Sequence, residues 1–257
     1  PDQAAAAGVP AAPRGRRLVF LFQKDPSPSR MTGFLRMARE AKTMVASLAP
    51  TDRVAVLSFD SHLKFWSDFT EDKEHSRKAI ERSITFKHEP SIDGDPAPDS
   101  LAAHFDRAAA RDAATPEAAL LVIANALRQL HGAKSLVFFG AWMGRLEGDA
   151  VEMAPAYTEA RRVLLASRTT VFSLDVTDAD GHTLEVALER VALDTGGFYA
   201  KTNDFPMLAM DRLERAIEGY YNLSFERPRL REGPHSVRVE LTRRKGTILT
   251  SGRYVDP

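Results

Sequence analysis

The chain has 257 residues, 44% hydrophobic and 27% charged, which suits one large or two small globular domains and excludes wholesale disorder. Lys+Arg and Asp+Glu both number 35, so the formal charge is zero and nothing points to a nucleic-acid partner. Cysteine is absent, which removes disulfides, zinc–thiolate sites and cysteine nucleophiles, and no apolar run nears the roughly 20 residues that would insert in a membrane.

Residues 1–16 are rich in Ala, Pro, Gly and Arg and read as a flexible linker without the apolar core of a signal peptide. Leu18 to Phe22 is an unbroken apolar run, the mark of a strand buried on both faces. Gln23 to Ser29 follows as a loop, and Phe34, Leu35, Ala38, Ala41, Met44, Val45 and Leu48 recur at helical spacing before Pro50. Val54–Phe59 is a second buried strand. The short Ser61-His62 link is too small for a crossover, so 63–69 is expected to pair antiparallel at an edge. Thr70 is the expected N-cap of a helix through Ala79, Ile80 and Ile84.

Residues 85–113 form a polar, Pro-rich insertion with a short helix within 100–111, and a loop this long is usually functional or disordered. Thr115-Pro116-Glu117 opens an apolar helix, with Thr as cap and Pro at its first position. Then come a strand at 135–139 ending on Gly140, a helix at 156–166, a strand at 170–174, a helix at 184–193 stopped by Gly196-Gly197, a strand at 198–200 and a helix at 207–217. Beyond them, 220–225, 236–241 and 247–250 alternate apolar and polar as half-exposed antiparallel strands do. The expected fold class is α/β: a doubly wound, mostly parallel sheet with one antiparallel edge strand, plus C-terminal antiparallel strands. The expected division is the linker, a body over 17–219, and an extension over 220–257 packed on it.

Asp25-Pro26-Ser27-Pro28-Ser29 satisfies D-x-S-x-S just after the first strand. With Asp52–Phe59, a loop threonine, Lys134–Phe139, Leu188–Gly197 ending in TGG, Tyr220–Phe225 and Ser251–Tyr254, the order of features over 17–255 resembles the von Willebrand factor A (VWA) domain, in particular the bacterial VWFA-related group. The resemblance implies a Rossmann-like fold, a protein partner, no catalysis, a secreted or periplasmic setting, and a metal-ion-dependent adhesion site that holds Mg²⁺. Asp25, Ser27, Ser29 and Thr115 match that site's ligands. Either Gln23 or Asp25 holds the place of the first aspartate, and the second, expected after the third strand, is replaced by Gly140-Ala141. The site is therefore expected to be degenerate, with no cofactor or only weakly bound Mg²⁺, because neutral hydroxyls displace water from Mg²⁺ poorly. Asp93 or Asp95 of the insertion would complete the shell if that loop swung in. Trp142 and the Asp93–Asp99 stretch are the candidate partner contacts.

The alternative reading is a metal-free structural or scaffolding domain of a longer multidomain protein. The seven histidines show no metal-ligand spacing and read as surface or packing residues, and Asp178–His182 reads as a turn. No phosphate-binding loop, nucleophile elbow or dinucleotide fingerprint is present.

Overall fold

The computed structural model describes residues 15–91, 95–178, 181–203, 205–218, 233–242 and 246–256. Six strands form the main sheet: β1 (Arg17–Gln23), β2 (Arg53–Phe59), β3 (Leu63–Thr70), β4 (Lys134–Gly140), β7 (Thr169–Asp175) and β8 (Tyr199–Lys201), in the order β3-β2-β1-β4-β7-β8. All neighbours run parallel except β2 and β3, so β3 is the antiparallel edge that the short link at residues 60–62 requires.

The continuous apolar runs are explained by two helical layers. Along a strand successive side chains face opposite ways. Val19 and Leu21 of β1, with Leu136 and Phe138 of β4, therefore enter one core with α4 (Pro116–Arg128), α5 (Ala156–Ala166) and α6 (Glu185–Thr195). Leu18, Phe20 and Phe22, with Val137 and Phe139, enter the other with α1 (Pro28–Ser47), α2 (Lys73–Thr85) and α7 (Pro206–Glu218). Leu21, Val56, Val137 and Val171 are all buried, as central strand residues should be. Phe22 stacks on Phe139 at 4.6 Å and meets Phe34 of α1 edge-on at 6.0 Å, which locks α1 to the sheet centre.

Several boundaries differ from the sequence reading. The first helix starts at Pro28, because Pro fits the first helical position and Ser27 takes the extended N-cap conformation. Asp72, not Thr70, caps α2, accepting from the His75 amide at 2.9 Å, while Thr70 stays in β3. The insertion carries a 3-10 turn at Ala102–His104 and α3 (Arg107–Asp112). A hairpin of β5 (Arg145–Glu147) and β6 (Ala150–Glu152) was not expected.

In the C-terminal part, β9 (Gly233–Ser236) pairs antiparallel with β10 (Arg253–Asp256). The expected strands at 236–241 and 247–250 are not formed as such, since pairing stops after the Val237 amide meets the Gly252 carbonyl at 2.9 Å. The alternation survives in burial only: Val237 and Val239 are half-buried, Arg238 and Glu240 exposed. Val239, Leu241, Ile248 and Leu249 instead help to line a cavity of about 750 Å³ against Lys134 and Phe172 of the sheet. The expected strand at 220–225 lies outside the described residues.

Candidate functional site

Parallel strands end on one edge, and ligands of doubly wound sheets bind at the carboxyl ends of strands. Here the register brings Gln23, Phe59, Gly140, Asp175 and Lys201 to that edge. Gln23 is the last residue of β1 and is buried. Its Oε1 accepts from the Ala141 amide at 2.8 Å and the Trp142 amide at 3.1 Å, and its Nε2 donates to the Trp142 carbonyl at 3.0 Å. One carboxamide thus closes the loop after β4 onto β1. A carboxylate could accept from the two amides but could not donate to the carbonyl.

Asp25 lies two residues beyond the strand. Its Oδ1 accepts from the Ser27 amide at 2.9 Å, and its Oδ2 pairs with Arg30 of α1 at 2.5 Å. Burial opposes ionisation of this carboxyl, but Ser27 and the Arg30 guanidinium outweigh it and hold the pKa at about 2. The Ser27 hydroxyl is buried without a hydrogen-bond partner. Ser29 lies in the first turn of α1.

Thr115 caps α4, its Oγ1 accepting from the Ala118 amide at 3.2 Å. Two residues on, Glu117 is buried, and its Oε1 accepts from Gly144 at 2.6 Å and Ala154 at 3.3 Å. It therefore ties both ends of the β5–β6 hairpin to α4, a role that local sequence signals did not reveal. Trp142 is half-buried and packs against both cores. Asp95 is exposed in the insertion, and Asp93 lies outside the described residues.

No protein-family model matches the sequence, and no curated protein matches it. The structure, however, is similar to a von Willebrand factor type A protein from Catenulispora acidiphila, with a TM-score of 0.51 and 12% identity over 78% of this chain and 42% of that one. It is also similar to the human COPII-coat protein Sec24c, with a TM-score of 0.54 and 13% identity over 80% of this chain and 33% of that one. The chain has a VWA fold. It spans less than half the length of either of these proteins.

Within this VWA fold, Gln23 ends β1, so a neutral amide stands at the strand end and Asp25 is displaced outward. At the corresponding point after β4 the backbone of Ala141 and Trp142 is bonded to Gln23. Further along the same edge, past β4, a second polar group gathers at the end of β7. Asp175, His182 and Glu185 bring ligand-type atoms within 4.8 Å of one another. His182, expected to be a surface or packing residue, is half-buried there, its Nε2 2.9 Å from Asp175 Oδ2. No helix among the described residues is long and apolar enough to cross a membrane.

Proposed function

We propose that this VWA-fold chain is a non-enzymatic protein-binding module whose metal-ion-dependent adhesion site is degenerate. The observation that carries the reading is the Gln23 clamp on Ala141 and Trp142. Mg²⁺ wants about six oxygens in octahedral array and gives up water reluctantly. Against that need, Gln23 offers a neutral amide whose oxygen already accepts two bonds. Asp25, the one carboxylate of the D-x-S-x-S loop, is paired with a guanidinium. Thr115 already caps a helix. The residues present do not fit a tightly bound Mg²⁺. The partner is then held by direct contacts of the strand-end loops, with Trp142 and the insertion around Asp95 as the contact surface.

Calorimetric titration of the chain with Mg²⁺ and with Mn²⁺ tests the metal part. The expected result is no micromolar binding of either ion that depends on Ser27 or Asp25. Micromolar affinity lost in Ser27→Ala would overturn the degenerate-site reading.

The scaffolding alternative is favoured by one observation. The positive-φ corner at Gly196 is packed so closely by Thr250 and Ser251 that an added Cβ would lie 2.5 Å from the Ser251 nitrogen. In this reading the C-terminal segment, which touches the body at that corner, would present its outer side to a neighbouring domain. Trp142→Ala would weaken capture of a partner in the first reading and leave it unchanged in the second.

A further inference from the structure

Asp175 closes β7 level with Gly140 of β4 and Lys201 of β8. Its carboxylate is almost wholly buried, with 4% of the side chain exposed. A charge so placed needs partners, and each oxygen has them. Oδ1 accepts from the Thr177 amide at 2.9 Å. Oδ2 accepts from the Tyr199 hydroxyl at 2.8 Å and stands 2.9 Å from His182 Nε2. Glu185, in the first turn of α6, accepts from the His182 amide at 3.4 Å and pairs with Lys201 at 2.9 Å. Thr177 Oγ1 lies 3.3 Å from the same His182 Nε2. Two residues before Asp175, on the same face of β7, Ser173 has a fully buried hydroxyl with no hydrogen-bond partner.

We propose that Asp175, His182 and Glu185 form a binding site for a divalent transition-metal ion of the zinc class, on the sheet edge but apart from the D-x-S-x-S loop. Gln23 and Asp175 stand on strands separated by β4, which puts them about 10 Å apart across the sheet. The geometry supports the assignment. Two ligands about 2.1 Å from an ion in a tetrahedral shell are about 3.4 Å apart, so the Asp175–His182 hydrogen bond, 2.9 Å long, needs to open only slightly to admit the ion. Imidazole with two carboxylates suits Zn²⁺, Co²⁺ or Mn²⁺, whereas Mg²⁺ and Ca²⁺ favour oxygen-only shells. The donors behind Asp175 are those that orient a ligating carboxylate: a backbone N–H on one oxygen and a phenol on the other. Lys201 holds the Glu185 carboxylate while the ion is absent. Its side chain is 37% exposed, so it can withdraw to solvent when the ion takes Glu185. The ion would be held by His182 Nε2 of a neutral imidazole, any proton on that nitrogen passing to solvent, and the remaining coordination positions are left to water or to a carboxylate of a docked protein.

The test is calorimetric titration of the whole chain with Zn²⁺ and, separately, Mg²⁺, with Co²⁺ absorption as a spectroscopic readout. The expected result is one Zn²⁺ per chain at micromolar or better affinity, Mg²⁺ at least 100-fold weaker, and a Co²⁺ spectrum showing nitrogen ligation. His182→Ala should lower Zn²⁺ affinity at least 30-fold and abolish that spectrum, and Glu185→Gln should lower affinity about tenfold. Lys201→Met, which removes the competing cation, should tighten binding several-fold. His182 and Glu185 lie near the surface, so both variants should keep the wild-type circular dichroism and remain informative if Asp175→Asn fails to fold. Absence of saturable Zn²⁺ binding, or binding that a folded His182→Ala variant retains in full, would overturn the proposal. So would equal affinity for Mg²⁺ and Zn²⁺.

Discussion

Gln23 and Trp142, 119 positions apart, bond each other twice in opposite senses: the side-chain Nε2 donates to the Trp142 carbonyl and the Oε1 accepts from the Trp142 amide. A carboxamide can do both, where an ionised carboxylate could only accept. The same oxygen also takes the Ala141 amide. Gln23→Ala would leave these backbone groups without a partner beside a buried strand end. An unsatisfied buried group costs about 1–3 kcal/mol, and some water entry is expected, so the predicted loss is about 2–4 kcal/mol. Urea denaturation measures it. A loss under 0.5 kcal/mol, on the order of a neutral surface substitution, would mean that the clamp contributes nothing to the closed loop.

Glu117 should be needed for the β5–β6 hairpin rather than for the sheet. Its carboxylate takes one amide from each side of that hairpin, at Gly144 and Ala154. Bonds to an ionised acceptor are roughly twice as strong as neutral ones. Glu117→Gln should therefore weaken the tether in part, and Glu117→Ala should remove it, with a cost of about 1–3 kcal/mol. Hydrogen exchange at Gly144 and Ala154 should quicken in the order wild type, Gln, Ala. Unchanged exchange in Glu117→Ala would show that the hairpin is held by other contacts.

The central strands were legible because each is an apolar run with no polar alternation, and a sheet covered on both faces demands that pattern. The antiparallel edge was legible from a link too short for a crossover. Long-range pairings were not. Glu117 reads locally as a first-turn acidic residue of α4, and only the fold shows that its partners come from 27 and 37 positions away. His182 has no second histidine at ligand spacing, and its neighbours in the fold come from the end of β7 and from α6. The β5–β6 hairpin escaped notice because three-residue strands carry almost no periodicity. Its clearest signal is Gly148, at φ +63°, as a two-residue hairpin turn requires.

The pH dependence of stability should show the burial of Lys134. Burial first, then the charges of Arg17 and Arg168, push its ammonium down to about 8 from an ordinary value of 10.5. Between those two pH values the unfolded chain holds a proton that the folded one has released, so stability rises with pH across the window. Below about pH 8 both states are protonated and the penalty is felt in full. Lys134→Met removes the charge at every pH. The stability of the variant relative to wild type should therefore be highest below pH 8 and fall as pH climbs towards 10.5. The Lys134 bond to the Leu130 carbonyl at 2.6 Å survives deprotonation, since the neutral amine still donates, and so contributes little to the slope. A difference that does not vary with pH would show that Lys134 titrates as in solvent.

Gly33 sets how closely α1 approaches the end of β7. A Cβ at this position would lie 1.9 Å from the Val176 carbonyl oxygen, and that oxygen is backbone, not a side chain that could swing aside. Val176 is itself fixed by its amide, which donates to the Gly140 carbonyl at 3.0 Å. Two opposing effects follow from Gly33→Ala. Helix propensity gains about 1 kcal/mol. Overpacking against an immobile backbone costs about 1–3 kcal/mol, occasionally more, and a 1.9 Å approach lies at the severe end. The clash should win, with a net loss of about 1–2 kcal/mol or greater. The displacement should also reach the start of α1, where Arg30 holds Asp25, so amides from Ser27 to Arg30 should lose exchange protection. Gly33→Ser should behave like Ala or worse, because it adds the same Cβ with less propensity gain. A Gly33→Ala variant with a raised denaturation midpoint would mean that α1 can shift outward freely, and that its contact with the Val176 backbone does not position the loop.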